Sequence, residues 1–304
     1  MKNNMKEEQE EKENAISKFV ENSILPIIAD YFDKKTGKRK VGVHGTGTLF
    51  KFLDKYFLIT AAHVLRATEG YEDYVGIPVG MNSIEVIKFR DCISYCPEDE
   101  LLGNIYDIGI IELSDKLGKI LEKSYQFLNE QNIRFSIQRN MDIYVSGYPC
   151  DWGIFDKTRN ILITRTFRFM SKYKISKKKY DEFDPKAHIL VEYNKIYYVG
   201  GKVDKLVFAE QNLNGISGCS LWSYENIESN VWSAEKCLKV IGIQSGVMKE
   251  EYIKGTKWEY MIEIFRHIDK NIFDLLSECN KEQTAVRDVQ IAVPKPMKRL
   301  SYGK

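Results

Sequence analysis

The sequence predicts an all-β protein built in two strand-rich halves, with a helix near each end. Three observations carry that prediction. Short β-branched and aromatic runs, broken by Asp, Gly and Lys turns, follow one another from about Ile27 to Leu113. The same texture returns over residues 142–248, with Asn160-Ile161-Leu162-Ile163-Thr164 and His188-Ile189-Leu190-Val191-Glu192-Tyr193 among its runs. Helical spacing of apolar residues appears near both ends.

Taken in order, residues 1–25 form a charged extension. Across residues 6–23 of it, Ile16, Phe19 and Val20, with Ile24 just beyond, recur at near-helical spacing. The apolar stripe of that amphipathic helix is expected to dock on the protein's own strands. Residues 26–130 hold the first strand-rich half and residues 131–258 the second. The segment Tyr260 to Cys279 places Ile262, Ile264, Phe265, Ile268, Ile272, Phe273, Leu275 and Leu276 on one helical stripe, so a C-terminal helix is expected over 259–280. Residues 281–304 are polar, contain Pro294 and Pro296, and read as a tail.

Composition narrows the function classes. At 304 residues with 43% hydrophobic and 12% aromatic content, the chain has material for one large core or two smaller ones. Lys+Arg 45 against Asp+Glu 43 leaves a net charge of +2, which gives no electrostatic case for nucleic acid or an anionic membrane. The basic run Ser176-Lys177-Lys178-Lys179-Tyr180 reads as a solvated loop without an aromatic platform. The apolar runs fall short of the roughly 18 residues that span a bilayer. The opening Met1-Lys2-Asn3-Asn4-Met5-Lys6 and the stretch Glu7 to Glu13 are polar and lack a signal-peptide pattern, so a cytoplasmic protein with reduced thiols is expected. Cys92 and Cys96 have the spacing of half a zinc site, but no second pair matches them, so neither metal nor cofactor is expected.

Three segments carry chemistry. Phe57-Leu58-Ile59-Thr60-Ala61-Ala62-His63-Val64-Leu65 places a histidine after an apolar strand and a small-residue turn. Tyr106-Asp107-Ile108-Gly109-Ile110-Ile111-Glu112-Leu113 sets an aspartate at the head of a strand, and Asn214-Gly215-Ile216-Ser217-Gly218-Cys219-Ser220-Leu221-Trp222 sets a serine between glycines. Each admits a plainer reading: a core or surface histidine, a turn-capping acid, an ordinary small-residue loop. Their chain order, His63 then Asp107 then Ser217, is one of three known for a serine triad, and the first spacing is close to that arrangement while the second is longer.

Further matches accompany them: His44-Gly45-Thr46-Gly47-Thr48-Leu49-Phe50, Val145-Ser146-Gly147-Tyr148-Pro149 and Val240-Ile241-Gly242-Ile243-Gln244-Ser245-Gly246. In this order, over about residues 40 to 265, the chain resembles a bacterial trypsin-like serine peptidase of the chymotrypsin fold. The resemblance implies two packed antiparallel β-barrels, with His63 and Asp107 in the first and Ser217 in the second. It implies Ser217 as nucleophile, His63 as general base, Asp107 as its orienter, and the N–H groups of Gly215 and Ser217 as oxyanion donors. Substrate would meet a pocket floored near Gln211 and Asn212 and walled by Gln244, Ser245 and Gly246. No acid stands at that floor, so a strict preference for Lys or Arg is not implied. The extra length between Pro149 and Gln211, rich in Lys, Tyr and Phe, is expected to rim the cleft.

Two departures matter. Cys219 and Ser220 stand where the family has glycine and proline; Ser217 remains the better nucleophile because Gly215 precedes it by two. Ile216 stands where zymogen-type relatives carry an acid that receives a new N-terminus, so that activation switch is not expected. The expected function is an intracellular serine endopeptidase acting on a protein or peptide substrate. The alternatives are a catalytically silent trypsin-like module that binds peptides, and an effector protease of a bacterial defence system acting on a co-encoded protein partner.

Overall fold

The computed structural model describes residues 2–32, 36–68, 74–80, 83, 85–97, 106–138, 141–174, 183–193, 213–225, 232–248, 251–284 and 297–301. Helix α1 (Lys2–Ser23) leads into seven strands: β1 (Ile24–Phe32), β2 (Arg39–Phe52), β3 (Lys55–Thr60), β4 (Val75–Pro78), β5 (Val86–Lys88), β6 (Ile93–Pro97) and β7 (Gly109–Leu113). The short helices α2 (Ala62–Arg66) and α3 (Asp115–Leu121) follow β3 and β7. The second half supplies β8 (Asp142–Gly147), β9 (Ile154–Asp156), β10 (Ile161–Ile163), β11 (Phe167–Lys174), β12 (His188–Glu192), β13 (Ser220–Tyr224), helix α4 (Ala234–Cys237), β14 (Leu238–Met248) and β15 (Tyr252–Lys257). Helices α5 (Trp258–Ile268) and α6 (Lys270–Thr284) and strand β16 (Met297–Ser301) complete the chain.

Strands β8, β13, β14, β15, β12 and β11 close into a six-stranded antiparallel barrel. The first half is an eight-stranded sheet in the order β16-β6-β7-β3-β2-β1-β4-β5. This is the all-β arrangement that the sequence predicts, with helices toward both ends; the second half is a closed barrel and the first an eight-stranded sheet with β16 and β5 at its edges. Among the described residues no helix is long and apolar enough to cross a membrane.

Three large apolar clusters among the described residues hold it together. One fills the first sheet around Leu49, Leu58, Leu65 and Ile111, and one fills the barrel around Ile143, Val145, Phe169 and Leu221. The third lies between them and gathers residues from both halves and both terminal helices. There Trp258 meets Phe50 edge-on at 5.0 Å, while Phe265 meets Phe52 at 5.4 Å and Phe57 at 5.2 Å. A helix that follows the barrel in sequence therefore clamps the first sheet. On the other side α1 buries Ile16 and Val20 and sets Phe19 against Trp222 at 5.8 Å, so its stripe docks on the protein's own strands. Burial of each such aromatic is worth on the order of 3–5 kcal/mol against alanine.

Several local expectations change. The C-terminal helix comes in two pieces, because Asp269 breaks it: its Oδ1 accepts the N–H groups of Asn271 at 2.9 Å and Ile272 at 3.3 Å, starting a new helix. Residues 297–301, expected within a polar tail, pair as an edge strand with β6. Of the Pro149–Gln211 segment, expected to rim the cleft, β11 and β12 are barrel wall and Ile161–Ile163 pairs with β9 in a separate hairpin, while residues 175–182 and 194–212 lie outside the described residues. The basic run 176–180 lies outside the described residues. Cys92 and Cys96 are buried in the first-sheet cluster, and Cys150, Cys219, Cys237 and Cys279 are free thiols.

Candidate active site

His63 owes its place to the end of β3. The apolar strand finishes at Thr60, and Ala61, extended at φ −78° and ψ 143°, starts the single turn of α2. Strand β7 runs antiparallel to β3, with Gly109 opposite Thr60. That register carries Asp107 alongside the first turn of α2. The His63 N–H donates to Asp107 Oδ1 at 2.8 Å, and His63 Nδ1 lies 2.6 Å from Asp107 Oδ2. Asp107 is 5% exposed, whereas the His63 side chain is 46% exposed. One carboxylate thus fixes both the backbone and the ring of the histidine, leaving the far edge of the ring toward the open side.

The turn Leu213–Cys219, which carries Ser217, packs against the end of β3. Gly215 and Gly218 have φ of +97° and +90°, the left-handed region that glycine enters without penalty. A Cβ on Gly218 would lie 2.0 Å from Thr60 Oγ1, 2.2 Å from the Thr46 carbonyl oxygen and 2.9 Å from the Ala61 nitrogen. The turn is therefore seated flush against the end of β3, close to His63. Thr46 on β2 anchors it: the Thr46 N–H donates to the Ser217 carbonyl and the hydroxyl donates to the Gly215 carbonyl, both at 2.9 Å. The Tyr148 N–H donates to that hydroxyl, also at 2.9 Å. From the barrel, Cys150 N–H donates to the Asn214 carbonyl at 2.7 Å and Gly218 N–H to the Gln244 carbonyl at 2.9 Å. The N–H groups of Ile216, Gly218 and Cys219 are thus spent on the protein. Those of Gly215 and Ser217 donate to nothing among the described residues.

The remaining expected residues fall as follows. Gln244 and Ser245 are buried on β14 directly behind the turn, and Gln244 Oε1 and Ser245 Oγ have no hydrogen-bond partner among the described residues. Gly246 is half-buried opposite Lys254 of β15. Gln211 and Asn212 lie outside the described residues. Ser220 is fully buried and donates to Thr48 Oγ1 at 2.8 Å, so its hydroxyl is committed to the core. The buried Cys219 thiol is pushed far up by burial, which keeps it protonated.

Three neighbours carry no sequence signal as strong as that of His63, Asp107 and Ser217. Arg66, one helical turn beyond His63, sets Nη2 3.6 Å from Asp107 Oδ1. His44 of β2 lies with Nε2 3.2 Å from the Val64 carbonyl, and burial holds its pKa below the usual imidazole value. Cys150 Sγ would stand 2.7 Å from a Cβ on Gly215. Among the described residues no group of three or more His, Cys, Asp or Glu side chains is placed to hold a metal ion.

No protein-family model matches the chain, and no curated protein matches it in sequence. Among solved structures it is similar to the protease Anisep from Arthrobacter nicotinovorans, with 16% identity, 78% of this chain and 90% of that chain covered, and a TM-score of 0.43. The scabies mite inactivated protease paralogue S-I1 is 16% identical, with 84% and 98% covered and a TM-score of 0.43. A structure from work on the coupled folding and binding of the Sesbania mosaic virus VPg protein is 13% identical, with 78% and 87% covered and a TM-score of 0.40.

Proposed function

We propose that the chain is a serine endopeptidase that cleaves peptide bonds by acyl transfer. The observation that carries this reading is the seating of the Ser217 turn against Ala61 and Thr46, beside a histidine whose Nδ1 lies 2.6 Å from a buried carboxylate. In the proposed reaction His63 Nε2 takes the proton from Ser217 Oγ as Oγ bonds to the substrate carbonyl carbon. The carbonyl electrons move onto oxygen, where the unspent N–H groups of Gly215 and Ser217 would receive the charge. Asp107 accepts the Nδ1 proton, fixing the tautomer that leaves Nε2 as base and balancing the imidazolium. The imidazolium then protonates the amine as the C–N bond breaks. Water, deprotonated by His63, attacks the acyl-enzyme and frees Ser217.

Six cysteines with no disulfide among the described residues suit a reducing compartment, which supports an intracellular site of action. The test is covalent labelling of folded protein by a fluorophosphonate probe, followed by peptide mapping. The adduct is expected on Ser217 and is expected to vanish in Ser217→Ala, with the fold retained. An adduct mapped to another residue, or none on folded wild type, overturns the reading; peptide binding without labelling would favour the silent module.

A further inference from the structure

We propose that Lys254 makes the site selective for acidic side chains: its ammonium receives the carboxylate of a glutamate or aspartate standing just before the cleaved bond. The inference rests on the peptidase reading and adds to it a class of substrate. It starts from the alternation of β15. Ile253 packs in the barrel cluster, and a Cβ on Gly255 would run into the Leu221 side chain, so both turn toward the barrel interior. Successive strand residues face opposite ways, and Lys254 between them therefore points out of the barrel. It is nevertheless only 4% exposed. A charge so far out of water gains much from an anion brought beside it.

Strand pairing sets its position relative to the nucleophile turn. Gln244 of β14 exchanges backbone hydrogen bonds with that turn: the Gly218 N–H donates to its carbonyl at 2.9 Å, and its own N–H donates to the Cys219 carbonyl at 2.8 Å. The register with β15 shifts between Gln244 and Gly246, and Gly246 then lies opposite Lys254. A Cβ on Gly246 would have Lys254 Cε, at 3.6 Å, as its one neighbour within 4 Å among the described residues. This face of β14 is thus open down to the lysine stem, about 7 Å along the strand from the residue bonded to the turn. Ser245, at the register shift, buries a hydroxyl with no hydrogen-bond partner among the described residues, a second donor next to the same spot.

The base decides which part of a substrate meets this face. His63 hands its proton to the departing amine, so the amine half lies toward the first sheet and the acyl half toward the barrel. The turn is clasped accordingly, with Thr46 and Ala61 on one side and β14 on the other. Neither β14 nor β15 contains an acidic residue. Their other lysines, Lys239 and Lys257, direct Nζ elsewhere, to the carbonyls of Gln131 and Pro185, each at 2.9 Å. An ammonium has three N–H donors, so one contact within the chain leaves two for a ligand. The same charge opposes a lysine or arginine side chain at this position.

The experiment uses three α-aminoalkyl phosphonate diphenyl esters, which react with a serine nucleophile and carry a single side chain in place of the residue before the cleaved bond. One side chain is shaped as glutamate, one as glutamine and one as lysine. Second-order rates of labelling at Ser217 are compared as ratios within each protein, so a general loss of reactivity cancels. In full-length wild type the glutamate probe is expected to react about tenfold or more faster than the glutamine probe, the margin of a charge-assisted hydrogen bond over a neutral one, with the lysine probe slowest. Lys254→Met and Lys254→Gln are expected to bring the glutamate-to-glutamine ratio within about threefold of one, while Lys254→Arg retains the preference. Equal rates in wild type, or a ratio that survives in a folded neutral variant, overturn the proposal, and the wild-type comparison decides even where no variant folds. Labelling by a plain fluorophosphonate but by none of the three probes also overturns it. If the fluorophosphonate leaves Ser217 untouched, the peptidase reading falls instead. Fluorescence anisotropy of matched glutamate and glutamine peptides on the folded wild type then judges Lys254, with equal affinities counting against it.

Discussion

A single added methyl at Gly218 tests the architecture of the nucleophile turn. Gly218→Ala would place a Cβ 2.2 Å from the Thr46 carbonyl oxygen and 2.0 Å from Thr60 Oγ1, where ordinary contact begins at 3.4 Å. The side-chain clash can be relieved by rotating Thr60, at the cost of its 2.7 Å hydrogen bond to the Thr46 carbonyl. The backbone clash cannot, so the turn must retreat by about 1 Å, a displacement that typically costs about 100-fold in rate when it misplaces a reacting group. A left-handed conformation at a non-glycine residue adds about 1–2 kcal/mol, and the lost hydrogen bond about 1 kcal/mol. The expected destabilisation is therefore about 3 kcal/mol, or a drop in Tm of about 6–12 °C for a chain of this size. The assay pairs differential scanning calorimetry with the second-order labelling rate at Ser217. Adding Thr60→Ala to Gly218→Ala should recover only a small part of either loss, because the Thr46 carbonyl remains. If Gly218→Ala kept its Tm and labelled within a few-fold of wild type, the turn would not be seated against β2 and β3 as described, and the route from sequence to site would fail.

Two further outcomes follow from the same geometry. Asp107→Asn and His63→Ala are each expected to lower turnover by orders of magnitude, the asparagine by favouring the wrong imidazole tautomer at a cost of about 10⁴ in trypsin-like enzymes; steady-state hydrolysis of a peptide substrate checks both, and near-wild-type turnover in Asp107→Asn would assign the orienting role elsewhere. His44 has a folded-state pKa held down by burial, so below the ordinary imidazole value the unfolded chain binds the extra proton, and stability present near neutral pH is lost as pH falls. Urea unfolding from pH 7 down to about 5 should show that decline, and His44→Gln, which keeps a donor toward Val64, should flatten it.

How much of this was legible in the sequence differs from residue to residue, for physical reasons. His63, Asp107 and the Gly215–Gly218 turn stand out because strand ends and left-handed turns demand particular residue types at particular offsets. The strand register that brings Asp107 to His63 then follows from β3 pairing with β7, both of them apolar runs. Arg66 carries no such mark, since an arginine after a histidine motif looks like any surface cation until the one-turn helix aims it inward. The split of the C-terminal helix was also hidden. The apolar stripe runs through Asp269 unbroken, and only its capping bonds and its 2.8 Å ion pair with Lys55 explain why the helix restarts there. β12 shows in the sequence as the run from His188 to Tyr193, whereas β11 is obscured by its polar, Lys- and Tyr-rich surroundings, which made barrel wall look like an insertion. β16 draws its pairing from the edge of β6, a partner that local sequence does not name.

Thr46 has a consequence for how the proposed site is assembled. It belongs to the first sheet, yet its N–H and hydroxyl hold the carbonyls of Ser217 and Gly215, which belong to the barrel. On the ribosome, the chain emerges with His63 and Asp107 long before Ser217. A nascent chain with only its first half folded has the proposed base and no nucleophile. An excised barrel has the serine but lacks the anchor that shapes its turn. On the proposed function, proteolytic competence would require both halves, docked through Thr46.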